Sequence, residues 1–269
     1  MTALGARADG MLLVGQARAV GSQITLVSPD GRSRADLAPP KTQNGYVTPQ
    51  RLFEAPDQTL YACGAVYDCC GYAMRYAPDG TLDSSFGVAG SVSTKPYINS
   101  AFDCALGADG HLAFAVYQGI EDLDANGALV FDDANHTNTP TADDFHAVVV
   151  ADDGTIYAAG WDSSHTQSLV RAVSPDGTPD RTFGGSGEVP THGSKPLSLM
   201  LRRDGLVVLT EAALARVAFD GTLTELATTA SPAAAMTQDA CGRIVTASYE
   251  KVDGSVLPMA RVVLRRYWP

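Results

Sequence analysis

Asp-Gly or Asn-Gly pairs recur along this chain at a near-constant interval, ending at Gly31, Gly80, Gly127, Gly177 and Gly221, in steps of 49, 47, 50 and 44 residues. A second series interleaves with the first, at Gly10, Gln58, Gly110, Gly154, Gly205 and Gly242. Asp-Gly favours the positive φ angles of tight hairpin turns, and the short runs rich in Val, Ala, Leu, Ile and Tyr on either side read as strands. The stretch Phe145-His-Ala-Val-Val-Val-Ala-Asp-Asp-Gly154-Thr-Ile-Tyr-Ala-Ala-Gly160 is strand, turn, strand; a third strand over Ser168–Val173 then meets Ser-Pro-Asp-Gly177 and a fourth segment.

Four strands in about 45 to 50 residues is the size of one propeller blade. Six units fit, beginning near residues 4, 50, 101, 145, 197 and 233 of one domain spanning 1–269. A lone four-stranded sheet cannot bury both faces, so the units must stack in a ring. The fold expected is all-β: a six-bladed β-propeller of about four antiparallel strands per blade. Ala212–Ala218 and Ala233–Met236 look helical by composition, but both fall where the repeat demands a strand. Only Met1-Thr2-Ala3 precede the first strand, and the sixth unit stops after Arg261–Tyr267. The expectation is a last blade of three strands, with a fragment of a longer protein as the alternative.

Two segments resemble a known family. Tyr76-Ala-Pro-Asp-Gly-Thr-Leu-Asp-Ser-Ser-Phe-Gly-Val-Ala-Gly90 is similar to the delta-60 repeat of bacterial proteins. So is Val173-Ser-Pro-Asp-Gly-Thr-Pro-Asp-Arg-Thr-Phe-Gly-Gly-Ser-Gly187, with Pro179 in place of the usual Leu. The resemblance covers units two and four; the other units keep the turns but lose Asp-x-x-Phe-Gly. It implies a β-propeller, commonly in surface or exported proteins, and it implies no defined reaction.

Composition narrows the partners. Hydrophobic residues make up 45% of the 269, enough for a sizeable core. The formal charge of −11 argues against nucleic acid and anionic membranes as partners, since both need basic faces. No apolar run approaches the roughly 20 residues of a membrane span. The first residues contain no apolar stretch resembling a signal peptide. Five cysteines, Cys63, Cys69, Cys70, Cys104 and Cys241, match no zinc spacing. Ordinary reduced thiols are the expectation, one disulfide among the first four the alternative. The resemblance favours a secreted or cell-surface bacterial protein with its leader removed; the bare start and odd cysteine count favour the cytoplasm.

If each blade runs A-B-C-D outward, the Asp-Gly turns join A to B and C to D and share one face. The B–C and D–A connections share the other, where propellers present ligand sites around the axis. That face receives Tyr46, Asp68, Tyr97, Asn99, Asp143, Asp144, Trp161, Asp162, Tyr249 and Glu250, with four of the five histidines: His136, His146, His165 and His192. Only His111 follows an Asp-Gly turn. Trp161 beside Asp162 and Ser163 suits stacking on a sugar ring while its hydroxyls are hydrogen-bonded; packing between blades is the rival role for the indole. Gly-x-Ser-x-Gly, His-Glu-x-x-His, P-loop and dinucleotide signatures are absent. The preferred function is therefore a non-catalytic recognition module that binds a glycan or a protein partner through Trp161, Asp162, His165, His146, His136 and Asp144.

Asp122-x-Asp124-x-Asn126-Gly127, with Asp133 at the twelfth position, follows the spacing of a calcium loop. Calcium is the one cofactor the sequence suggests, held by Asp122, Asp124, Asn126 and Asp133. An acidic solvated turn explains the same residues. The competing function is a metal-dependent hydrolase of the lactonase or esterase type, recruiting Glu54, Asn99, Asp103 and Asp144 in the central channel.

Overall fold

A computed structural model of the protein describes residues 3–18, 21–37, 47–66, 70–94, 101–117, 119–133, 144–162, 164, 166–191, 194–228, 233–239, 241–251 and 260–267. It is a six-bladed β-propeller. Blade one is β1 (Ala3–Ala6), β2 (Leu12–Arg18), β3 (Gly21–Val27) and β4 (Arg34–Asp36). Blade two is β5 (Val47–Glu54), β6 (Leu60–Val66), β7 (Cys70–Tyr76) and β8 (Ser91–Ser93). Blade three is β9 (Ala101–Leu106), β10 (Leu112–Val116), β11 (Gly119–Leu123) and β12 (Leu129–Asp132). Blade four is β13 (Asp144–Val150), β14 (Ile156–Trp161), β15 (Ser168–Val173) and β16 (Glu188–Pro190). Blade five is β17 (Pro196–Arg202), β18 (Gly205–Thr210), β19 (Ala213–Val217) and β20 (Leu223–Thr228); blade six, among the described residues, is the three strands β21 (Ala233–Gln238), β22 (Ile244–Lys251) and β23 (Ala260–Tyr267). Strands follow one another in sheet order, all antiparallel. The two alanine-rich stretches are strands β19 and β21, so tertiary pairing overrides their helical propensity.

The turns obey the sequence logic. The glycines at Gly10, Gly80, Gly110, Gly127, Gly154, Gly177, Gly221 and Gly242 take φ between 80° and 89°. Gln58 stands at the same place with φ 68°, where a side chain is strained. Each preceding Asp closes its own turn: Asp57, Asp79, Asp153 and Asp176 accept from the backbone N–H two residues on, at 2.8 to 3.0 Å. Asp-x-x-Phe-Gly also has a structural meaning. Asp83 and Asp180 bend the chain by accepting from Ser85 and Thr182. Phe86 and Phe183 then plug the core between blades. Blades one, three and five form their fourth strands without this motif.

Alternate side chains of each strand go to opposite neighbours. Leu112, Phe114 and Val116 of β10 pack toward blade two, while Ala113 and Ala115 pack toward blade four. Five apolar clusters result, one at each junction from blades one–two to five–six. Among the described residues no such cluster joins blade six to blade one, and Leu4, Val262 and Leu264 are 57%, 62% and 66% exposed on the two facing sheets.

Reduced thiols are not what the structure shows. Cys63 of β6 and Cys104 of β9 form a disulfide that staples blade two to blade three across 41 residues of chain. The two positions meet because both side chains turn into the same buried cluster. Cys70 is disulfide-bonded as well, and Cys241 is free and exposed. Replacing Cys63 and Cys104 together by Ala should cost about 3 kcal/mol, the usual worth of a cross-link over such a span. Denaturant unfolding of the double variant against the parent checks it.

Candidate functional site

The innermost strands touch in succession, β1 on β5, β5 on β9, β9 on β13, β13 on β17 and β17 on β21, so they line the axis. Five of them share an irregularity near their starts. The ladder skips Gln50 in β5, Phe102 in β9, His146 in β13, Leu197 in β17 and Ala234 in β21, each standing as an extra residue against its B strand. A bulge breaks the two-residue alternation and re-aims a side chain. Gln50, Phe102, His146 and Leu197 are accordingly half-buried, the last three between buried neighbours. Because A strands start at the B–C/D–A face, the bulges form a row near that mouth.

The row is connected. The Gln50 amide donates to the Ala101 carbonyl at 2.9 Å. The Phe102 ring lies 4.4 Å from the His146 imidazole, tilted by 48°. One residue further along, Arg51 donates through Nε and Nη2 to the Asp103 carboxylate at 2.7 and 3.0 Å. Asp103 also accepts from the Val148 N–H at 3.2 Å, so one buried carboxylate ties blades two, three and four. This hydrogen-bonded pair raises the Arg51 pKa further, against the opposing effect of burial.

At the outer part of the mouth, Asp144 opens β13 directly opposite Trp161, the last residue of β14. Asp144 is buried and Trp161 half-buried. Asp162 is spent on its own loop: it accepts from Ser164 Oγ at 2.7 Å and from the N–H groups of Thr166 and Gln167 at 3.0 and 3.1 Å. These bonds hold its carboxyl below the usual range. His136 and His165 lie outside the described residues, as do Tyr46, Asp68, Tyr97, Asn99, Asp143 and His192. The structure thus brings His146 to Phe102 and Asp144 to Trp161. Sequence reading missed Gln50 and Phe102, whose signal is an extra residue out of step with the strand period.

The acidic stretch folds as a hairpin, with Asp122 opposite Phe131 and Glu121 opposite Asp132. Asp124 accepts from the N–H groups of Asn126 and Ala128, both at 2.8 Å, and Asn126 is exposed. Asp133 accepts from the Ile120 N–H and from Arg171. Asp122 faces blade four and meets His111 Nδ1 at 2.8 Å, in a crevice lined by Asp109, Val150, Gly154, Ile156 and Pro175. Asp122, Asp124 and Asp133 thus have different partners, and no group of three or more His, Cys, Asp or Glu side chains that could hold a metal converges among the described residues.

Burial pushes the Asp122 carboxyl up to about 6, and its Oδ1 has no hydrogen-bond partner among the described residues. Burial opposes the charged form of His111, but Asp122, with Asp109 and Asp124 nearby, outweighs it and raises the imidazole. Both groups bind protons more tightly folded than unfolded. Their contribution is complete at acidic pH and is lost as pH rises through the raised values. The share of Asp122 fades between the ordinary carboxylate value of 3.8 and about 6, and that of His111 above the ordinary imidazole value of 6.5, so unfolding free energy should fall as pH rises from mildly acidic through neutral, where the turn carboxylates are already ionised. Urea titrations of the parent and of His111→Gln check this, the variant showing a flatter slope.

Two stretches, 56–86 and 151–183, match the model of a β-propeller domain of unknown function, DUF5122. They fall in blades two and four, the units whose sequences carry the repeat most clearly. No curated protein matches the chain. Among solved structures, the CNH domain of AfRom2 superposes with a TM-score of 0.60 at 11% identity, over 99% of this chain and 80% of that one. A Thermus thermophilus protein assigned as an oxidoreductase (glucose dehydrogenase) superposes at 0.56 with 16% identity, over 99% and 96%. The computationally designed Ika8 protein reaches 0.51 with 12% identity, over 92% and 80%. At these identities the likeness shows the fold alone.

Proposed function

We propose that this protein is a non-catalytic recognition propeller that binds a glycan, or a protein partner, at the B–C/D–A mouth, with a sugar the favoured ligand. The observation that carries the reading is the half-buried Phe102–His146 pair, 4.4 Å apart on adjoining inner strands, with Gln50 beside it. An aromatic surface rimmed by an amide and an imidazole suits a ligand with one apolar face and a fringe of hydroxyls. Trp161 and Asp144 extend the same mouth outward.

Two of the residues suggested for a channel metal, Glu54 and Asp103, are already committed. Glu54 ends β5 near the opposite face and accepts from Arg7 Nε at 2.8 Å and from the Ala8 N–H at 2.5 Å. Asp103 is held by Arg51 and Val148. Those commitments favour recognition over metal-dependent hydrolysis. The Cys63–Cys104 disulfide favours an oxidising location, and with it a secreted or cell-surface protein.

A glycan array followed by calorimetry tests the proposal. Phe102→Ala, His146→Ala and Trp161→Ala should each weaken binding about tenfold, the loss of roughly one aromatic contact, without lowering the melting temperature by more than a few degrees. A sugar or protein ligand bound equally well by all three variants removes the proposal. Chelation should leave both binding and melting unchanged; loss of either, restored by calcium, would bring an ion into the site.

A further inference from the structure

The crevice at the junction of blades three and four lies on the turn face, away from the proposed mouth. Asp109, His111 and Asp122 line one side, Val150, Ile156 and Pro175 the other, with room for about one water molecule between them. Asp122 stands opposite Ala113, whose side chain packs toward blade four, so its carboxyl is directed into the junction. The side chain is 1% exposed. Its Oδ2 accepts from His111 Nδ1, while Oδ1 has no hydrogen-bond partner among the described residues. A buried carboxylate oxygen without a donor is costly. With Nδ1 donating to Asp122, the neutral imidazole presents Nε2 as a second acceptor. Asp109 Oδ1 accepts from the His111 N–H at 3.2 Å, and its Oδ2 lies 3.9 Å from His111 Nε2. The recess is thus walled by acceptors, and no Lys or Arg is in its lining.

What such a recess lacks is a donor carrying positive charge. Asp124 is near enough to act on His111 through space, and the exposed Asp153 and Asp176 adjoin Gly154 and Pro175 at the rim. The apolar wall decides which cation fits. A metal ion gains nothing from Val150, Ile156 and Pro175, and a guanidinium, planar with five donors, is too large for a space of one water. An alkylammonium combines a compact head with an apolar stem. We propose that this crevice receives the side chain of a lysine from a basic segment of a partner protein. The lysine Nζ donates to Asp122 Oδ1 and Asp109 Oδ2, and its methylenes run out along Ile156, Val150 and Pro175. The rim carboxylates attract the other positive charges of the segment, an attraction that a small free amine shares less.

Fluorescent tetralysine, tetra-arginine and side-chain-acetylated tetralysine test this on the intact protein, in about 0.15 M salt to screen diffuse attraction. Tetralysine should bind saturably and shift the His111 ring resonances in the nuclear magnetic resonance spectrum. Tetra-arginine should bind about tenfold more weakly, and the acetylated peptide not at all. Asp109→Asn, at an exposed position, should weaken tetralysine about tenfold, as loss of one charge-assisted contact does, and Asp122→Asn at least as much. Asp30→Asn, on blade one, should leave binding unchanged. If Asp122→Asn fails to fold, Asp109→Asn and the His111 shift still decide. Equal binding of the two cationic peptides, an unmoved His111 (the recess then holding water alone), indifference to Asp109→Asn, or 1,4-diaminobutane bound as tightly as tetralysine would each overturn the proposal.

Discussion

Each blade is a sheet with two apolar faces and no layer of its own to cover either. Everything else about this protein follows from that deficit. Cores form between units, so the strands must carry large residues on one face and small ones on the other. Phe114 against Ala113 and Ala115 is the plainest case. The disulfide, the Arg51–Asp103 pair and the two motif phenylalanines all act at junctions between blades. A substitution in one sheet is therefore felt in its neighbour, and melting is expected to be shared across adjoining blades rather than confined to one.

Charges at the junctions serve geometry more than net stability. Burying Asp103 costs desolvation, and the bidentate arginine with one backbone donor offsets it. What the arrangement secures is register among three inner strands, since only one relative shift satisfies Arg51, Asp103 and Val148 together. Arg7–Glu54 repeats this between blades one and two, and Arg171–Asp133 between blades three and four. The His111–Asp122 pair lies within blade three where it faces blade four, and both members hold protons more tightly in the folded state, so its grip varies with pH.

The architecture was legible in the sequence because turn chemistry is local. Asp-Gly at a fixed step announces a hairpin wherever it stands, and even Gln58 could be placed by interval alone. The alanine-rich strands β19 and β21 were readable only by trusting the repeat over propensity. Thiol pairing was not legible: Cys63 and Cys104 meet through the packing of two blades, which no spacing within either blade records. The site was half legible. His146 and Trp161 could be assigned to the mouth from chain order, but Phe102 and Gln50 depend on a ladder slip of one residue. In the acidic stretch, calcium-loop spacing and β-hairpin pairing place the same carboxylates in different directions, a distinction that spacing alone does not record.

The inner-strand bulges have a consequence for how such a molecule changes over generations. A residue outside the two-residue alternation belongs to neither neighbouring core, so its volume and polarity are released from the packing that constrains the residues beside it. Gln50, Phe102, His146, Leu197 and Ala234 already sample an amide, a phenyl, an imidazole, a branched alkyl and a methyl around one axis. Five positions can thus be rewritten one at a time while the blades keep their fit. A ring of this kind can acquire a new ligand without first surrendering stability.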